Sequence, residues 1–289
     1  MEPRSCLNRT RGSIDPEQAK RREGHPPQFL MCRPTHYTIA YEINPWMRLT
    51  RQADHRQAVT QWNALYRLLT SKLGVIVRLS PARARVPDLV FTANAGLVVG
   101  RTLIRSNFRH PQRQREAPHI ERYFRRAGYQ IVTLPQRHNF EGEGDALWMR
   151  KTLVLGFRFR SDAAVHERLS RLLDARVLPV ELIDKRFYHL DTCFAPLGQR
   201  TALWYPQAFD RYGRTVIEHL VPDLITVSEA DAERFVCNAI VIGRSVVVHA
   251  GCSVRVRRHL ARRRFRLYEV DLSEFLKAGG AAKCLVLRL

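Results

Sequence analysis

Between residues 54 and 73 the apolar positions fall three or four apart, at Ala58, Trp62, Leu65, Leu69 and Leu73. That period puts them on one face of a helix. It recurs over 116–128 (Ile120, Phe124), 162–175 (Val165, Leu169, Leu172) and 206–220 (Phe209, Tyr212, Val216). Gly74, Gly128 and Pro222 follow three of these segments as stop signals. Between them the pattern changes to short apolar runs. "NAGLVVGRTLI" from Asn94 and "NAIVIGRSVVV" from Asn238 both read Asn-Ala, apolar residues, Gly-Arg and a second apolar run. Each predicts a hairpin on a glycine turn. Looser copies, "DALWMRKTLVLGF" from Asp145 and "DTCFAPLGQRTALWY" from Asp191, lie between, and "CLVLRL" opens a last strand at Cys284.

The copies start at intervals of roughly 47 residues. With the helices in the gaps, the unit is strand–strand–helix–strand, and about five copies fit between residues 29 and 289. The class is therefore α/β. A closed ring is expected, because "THYTIAYEI" (35–43) and "CLVLRL" (284–289) pair in it and remove the free sheet edges. A ring also brings the corresponding loops to one mouth, gathering Asn94, Asp145, Asp191, Asn238 and Cys284 there.

Composition narrows the class. Of the 289 residues, 45% are hydrophobic and 26% charged, the balance of a folded protein. No apolar run is long enough to span a membrane. Residues 1–28 lack the apolar core of a secretory signal and read as a basic, disordered extension before a single domain over 29–289. The six cysteines show neither CxxC nor metal-ligand spacing, which points to free thiols, a cytoplasmic setting and buried packing roles as the default. The net charge is +21, yet only six of the 48 basic residues are lysine. Arginine clusters such as "RVRRHLARRRFR" (255–266) suit phosphates or a solvated helix face. The second reading is favoured, since no nucleic-acid motif accompanies them.

Against that charge, "HNFEGEGDALW" (138–148) places Glu141, Glu143 and Asp145 within five positions. Three stretches carry chemistry together: "FEGEGD" (140–145), "YHLDTCF" (188–194) and "GGAAKCLVL" (279–287). With "PDLVFTANAG" (87–96) and "INPWM" (43–47), the chain resembles the guanidino-group-modifying enzymes, which include arginine deiminase, dimethylarginine dimethylaminohydrolase and the amidinotransferases. The resemblance is closest to the arginine dihydrolases and covers nearly all of the chain after residue 30. It implies a five-bladed α/β propeller, or pentein, of ββαβ units around a central channel that holds the active site.

The resemblance also implies roles. Cys284 is the nucleophile, since a guanidinium carbon is a poor electrophile and a covalent route helps. His189 protonates departing ammonia and then activates water. Asp88, Asp191 and the acidic stretch form an anionic pocket for a guanidinium. Opposite charges at 4 Å attract by about 4 kcal/mol at an effective dielectric near 20, enough to outweigh a distant, screened positive surface. Family members mostly have Glu-x-Gly-Asp, and this chain is one residue longer. Glu141 is taken as the guanidinium-binding carboxylate and Asp145 as its partner, with Glu143 a solvated turn residue. Asp191 points the same way as His189 if the segment is extended. Arg160 and Arg113 are both open as binders of a substrate α-carboxylate. An amide at Asn94 offers donor and acceptor alike, suiting a ureido group as well as a cation, and Asn44 is given a similar role.

The expected activity is hydrolysis of the guanidino group of L-arginine through a covalent thiouronium, on to ornithine, ammonia and carbon dioxide. It needs no metal or cofactor. Deiminase or dimethylaminohydrolase activity, giving citrulline, is the near alternative, with amidino transfer behind it. The partner is then a small molecule, arginine or a methylated arginine. The fold is also used without catalysis, so a ribosome- or RNA-binding protein is the alternative of another class.

Overall fold

Five times among the described residues, an antiparallel strand pair continues through a helix into a third strand parallel to the second. The structure, a computed structural model, describes residues 26–289. The extension expected over 1–28 falls, up to residue 25, outside the described residues. The second sheet shows the unit plainly. In the first sheet, described below, β1 (Gln28–Cys32), helix α1 (His55–Arg67) and β2 (Ile76–Ser80) precede it. Strands β3 (Gly96–Val99) and β4 (Thr102–Arg105) form its hairpin, α2 (Ala117–Arg126) crosses over, and β5 (Gln130–Thr133) returns parallel to β4. β6 (Ala146–Met149), β7 (Thr152–Phe157), α3 (Val165–Leu173) and β8 (Arg176–Glu181) repeat it. β9 (Phe194–Pro196), β10 (Thr201–Trp204), α4 (Arg211–Leu220) and β11 (Asp223–Thr226) do so again. So do β12 (Ile240–Ile242), β13 (Ser245–His249), α5 (Val254–Arg262) and β14 (Arg266–Val270). The first sheet borrows its hairpin strand from the far end of the chain. β15 (Leu287–Arg288) pairs antiparallel with β1, while β1 runs parallel to β2.

Three helices bury most of the apolar stripe their spacing predicts, but α4 (Arg211–Leu220) sinks Gly213 and Ile217 and leaves Tyr212, expected inside, exposed to solvent. α1 turns Ala58, Trp62 and Leu65 inward and is capped by Asp54, whose carboxylate accepts from Gln57 N. Leu69 continues that face in a π-helical turn. α4 is capped by Asp210, which accepts from the N–H groups of Tyr212 and Gly213. α5, from the arginine-rich stretch, sinks Val256 and Leu260 and leaves Arg255, Arg257, Arg258 and Arg262 exposed. Among the described residues no helix is long and apolar enough to cross a membrane.

Two expectations are corrected. Residues 35–43 form no strand, and the partner of β15 is Gln28–Cys32 instead. Their alternating pattern is real, because Tyr37 and Ile39 are buried. What stands in for a partner strand is the Gln52 side chain, which accepts from Ile39 N and donates to Ile39 O. Nor does a strand begin at Cys284. That residue lies in a 3₁₀ turn, Lys283–Leu285, ahead of β15.

The same kind of turn precedes other hairpins, at Thr92–Ala95, Gly142–Gly144 and Leu190–Thr192. Asn94 and Asp191 lie within these turns, and Asp145 ends one. The repeat therefore delivers its polar residues at one structural position, the entry to the first strand of each sheet.

Candidate active site

Neighbouring turns reach one another through hydrogen bonds, most of them involving a side chain. Asn94 Nδ2 faces Glu141 O at 3.4 Å, Leu190 N donates to Asp145 Oδ1 at 3.1 Å, and Asn238 Nδ2 faces Asp191 O at 3.2 Å. Lys283 N donates to Asn238 O at 3.2 Å, and Thr92 Oγ1 donates to Leu285 O at 3.0 Å.

Cys284 is 3% exposed. Its N–H donates to Asn238 Oδ1 at 3.2 Å, while Asn238 Nδ2 stands 3.1 Å from Sγ. The thiol in turn faces Asp191 Oδ2 at 3.5 Å. A close approach makes glycine necessary before it, since a Cβ at Gly280 would lie 2.6 Å from the Phe91 ring and 3.3 Å from Cys284 Cβ. Burial, with the Asp191 carboxylate adding to it, pushes the thiol well above its ordinary range. At rest the sulfur is thus a neutral thiol beside a carboxyl group. Asp191 is itself pushed up to about 7, by burial against the opposing pull of Lys283. Its Oδ1 has no hydrogen-bond partner among the described residues.

A second group surrounds His189. Its Nε2 lies 2.8 Å from Glu141 Oε2, and both side chains are almost fully buried. Burial raises the Glu141 carboxyl, but Arg160, 3.2 Å from Oε2, and the imidazole outweigh it and hold the group well below the usual range. Burial pushes His189 down to about 4, against the pull of Glu141. The pair is therefore a carboxylate accepting from the Nε2–H of a neutral imidazole, which leaves the lone pair on Nδ1. Glu141 Oε1 also accepts from Arg109 N at 3.2 Å. Asp145 is tied to the same cluster by Ser161 Oγ at 2.6 Å, and burial drives its carboxyl well above the ordinary range. Arg160 stacks over the Tyr188 ring at 4.5 Å and donates to Ile43 O at 3.0 Å.

A third group contains Asp88, Asn94 and Arg113, all buried. Arg113 donates to Asn94 Oδ1 at 2.8 Å, to Asp88 O at 3.3 Å, and through Nε and Nη2 to both oxygens of Glu116 at 2.7 and 2.9 Å. Burial raises the Asp88 carboxyl against the pull of Arg113, and its Oδ1 accepts no hydrogen bond among the described residues.

Of the residues expected from sequence, Cys284 and Asp191 are in contact. Glu141, His189 and Arg160 form one cluster with Asp145 attached, and Asp88, Asn94 and Arg113 form another. Asn44 stands apart from these hydrogen bonds. Its Oδ1 accepts from Trp46 N and Met47 N, its Nδ2 donates to Ala278 O, and a Cβ at Gly279 would sit 2.9 Å from Oδ1. Asp191 is brought to Cys284 by a 3₁₀ turn rather than by the extended segment expected. Glu143 is no solvated turn residue: it is buried, and Oε2 takes Lys283 Nζ at 2.7 Å and Arg288 N at 3.3 Å. That buried carboxylate is tolerated because Lys283, from the turn ahead of β15, brings it a cation. Glu116 and Ser161 escaped sequence reasoning, and Asn238 was gathered at the mouth without a role. Asn238 had a signal, its repeat equivalence to Asn94. Glu116 had one in its i,i+3 spacing from Arg113. Ser161, which joins Glu141 N to Asp145, had none beyond its neighbour Arg160. Among the described residues no three His, Cys, Asp or Glu side chains form a metal-ligand group.

A family model described as N,N dimethylarginine dimethylhydrolase, eukaryotic, matches residues 28–289. The bifunctional arginine dihydrolase/ornithine cyclodeaminase AgrE of Nostoc sp. is 46% identical over 267 residues, which cover 91% of this chain and 38% of that protein. The N(G),N(G)-dimethylarginine dimethylaminohydrolase of Mycobacterium tuberculosis is 36% identical, over 91% of this chain and 85% of its own length. Among solved structures, a mutant of the N-terminal domain of ArgZ, a cyanobacterial arginine dihydrolase, bound to substrate, superposes with a TM-score of 0.87 at 43% identity, covering 91% and 97% of the two chains. The chain spans less than two fifths of the length of the two bifunctional relatives, 38% and 37%.

Proposed function

The chain belongs to the N,N-dimethylarginine dimethylhydrolase family of guanidino-group-modifying enzymes, and from that premise we propose that it is an arginine dihydrolase. It hydrolyses L-arginine with two waters to ornithine, two ammonia and carbon dioxide, using Cys284 as nucleophile. The observation that carries this reading is Cys284 set against Asp191 and Asn238, with a buried His189–Glu141 pair two residues from that aspartate.

The chemistry follows from the protonation states. A neutral thiol and a carboxyl group poised near pH 7 await a cation. The guanidinium entering beside Asp88, Asp191 and Glu141 supplies the positive charge that favours ionised sulfur and ionised Asp191. The thiol's proton passes to the free Nδ1 of His189 as the sulfur adds to the guanidino carbon, so the imidazole is charged when the leaving group departs. Ammonia leaves with a proton delivered by His189, and a thiouronium remains. The same imidazole takes a proton from water as it adds, and the C–S bond breaks to give citrulline and free thiol. Asn94 holds the ureido group for a second hydrolytic round. Glu141 keeps the imidazole in its tautomer, Asp145 supports the substrate's guanidine nitrogens, and Arg160 or Arg113 meets the α-carboxylate.

We read residues 29–289 as one catalytic domain, its five sheets closed into a five-bladed α/β propeller, or pentein, around the channel that holds these side chains. The β15–β1 pairing and the hydrogen bonds running from turn to turn support this. Citrulline-forming dimethylaminohydrolase activity is the second reading, favoured by the family model and by the Mycobacterium relative.

Purified protein incubated separately with L-arginine and dimethylarginine tests the proposal. Two ammonia per ornithine, without citrulline, is the expected result. Citrulline as the end product moves the assignment to the second reading. In Cys284→Ser, turnover is expected to fall at least about 10³-fold while arginine still binds. Unchanged ammonia release in that variant removes Cys284 from the mechanism.

A further inference from the structure

Glu116 belongs to none of the motifs, yet it is 2% exposed and spends both carboxylate oxygens on one partner. A carboxylate gripping a guanidinium through Nε and Nη2 fixes the plane of the fork and leaves little rotation. Arg113, so held, aims Nη1 at Asn94 Oδ1, 2.8 Å away. The opposite end of that amide, Nδ2, faces the carbonyl of Glu141 at 3.4 Å. An arginine N–H cannot rest against an NH₂ group, and a carbonyl cannot rest against an amide oxygen. Both neighbours therefore choose the same orientation of Asn94. Its nitrogen also lies toward His189: a Cβ at Gly144 would be 2.2 Å from Nδ2 and 3.3 Å from the imidazole.

With Arg113 on Oδ1, the end of Asn94 that lies toward His189 is Nδ2, an N–H donor. A guanidinium presents donors alone and gains nothing from it. A ureido group carries an acceptor oxygen and does. We propose that Glu116 is a positioning residue: by clamping Arg113 it holds the Asn94 amide in the orientation that recognises a ureido oxygen, and so serves the citrulline half of the reaction rather than the arginine half. The inference rests on the dihydrolase reading. It divides the labour in the site, with carboxylates for the cationic substrate and an oriented amide for the neutral one. Without the clamp, only the Glu141 carbonyl, 3.4 Å from Nδ2, still opposes turning the amide over to present its oxygen to the guanidinium.

Glu116→Ala, Glu116→Gln and wild type would be compared for arginine consumption, for turnover of citrulline supplied as substrate, and for the citrulline-to-ornithine ratio from arginine. In Glu116→Ala, citrulline turnover is expected to fall about tenfold further than arginine consumption, so that citrulline accumulates. Glu116→Gln keeps one acceptor oxygen for Arg113 and is expected to restore most of the wild-type ratio. Because Glu116→Ala strands a buried arginine, Arg113→Lys provides a second variant. It keeps the charge but cannot hold a fork, and the same skew toward citrulline is expected. Equal losses in both half-reactions, or an unchanged ratio, in variants with native circular dichroism overturn the clamp. Wild-type protein that stops at citrulline overturns the dihydrolase reading, and this inference with it.

Discussion

At the scale of single residues, the glycines of "FEGEGD" explain why three carboxylates are packed so densely in a basic chain. Gly142 has φ +59°, and a Cβ there would lie 2.6 Å from Gly96 O, so the turn closes only without a side chain. Gly144 gives its space to Asn94. Gly144→Ala is expected to displace that amide and the neighbouring imidazole and to cut turnover about 100-fold, with thermal stability as the control. Asp191 yields a pH prediction. Its folded pKa, about 7, lies above the ordinary 3.8, so the native state holds this proton more tightly than the unfolded chain. Its stabilising contribution is whole below about 3.8 and is lost as pH rises through 7. Melting of Asp191→Asn against wild type checks this: the variant's relative Tm is expected to climb between pH 4 and pH 8. A Tm gap independent of pH contradicts it. The gathering of Cys284 with Asp191 and of His189 with Glu141 was legible in sequence because local motifs surround them, whereas the burial of Glu143 was not. Glu116 was not, since its meaning depends on Asn94, which the chain leaves far behind it.

At the scale of elements, hydrophobic period located the helices well because each buries apolar residues, although α4 packs against β8 of the neighbouring sheet and leaves Tyr212 in solvent. Caps follow the same logic. Asp210→Ala removes the acceptor for two N–H groups at the start of α4 and is expected to cost about 1 kcal/mol, read from denaturant midpoints. The hairpin turns were legible through Gly100 and Gly243, at φ 58° and 55°. Arg150 takes the same left-handed conformation at φ 58° in the β6–β7 hairpin, and its side chain donates to Gln199 O at 2.6 Å. A non-glycine there disguised that copy of the repeat. Alternation misled over 35–43 because one glutamine side chain, Gln52, does locally what a neighbouring strand would have done.

At the scale of the molecule, the charge of +21 opposes the approach of a cationic substrate, whereas citrulline is net neutral. Repulsion by surface charge fades beyond about 10 Å at 0.1 M salt, while contacts inside a buried pocket are screened far less. The KM for arginine is therefore expected to fall as ionic strength rises from low values, with that for citrulline nearly constant. Parallel titrations of both substrates with sodium chloride check it, and equal responses reject it.

The pairing of β15 with β1 joins residues 257 and 259 positions apart, Leu30 with Leu287 and Phe29 with Arg288, and the turn that carries Cys284 hangs on it. The other four sheets close over far shorter spans of chain. Loop-closure entropy delays contacts of such range, so assembly has an order. On refolding, secondary structure and most of the buried core form first. The thiol docks onto Asn238 and Asp191 last, and recovery of activity lags behind recovery of ellipticity.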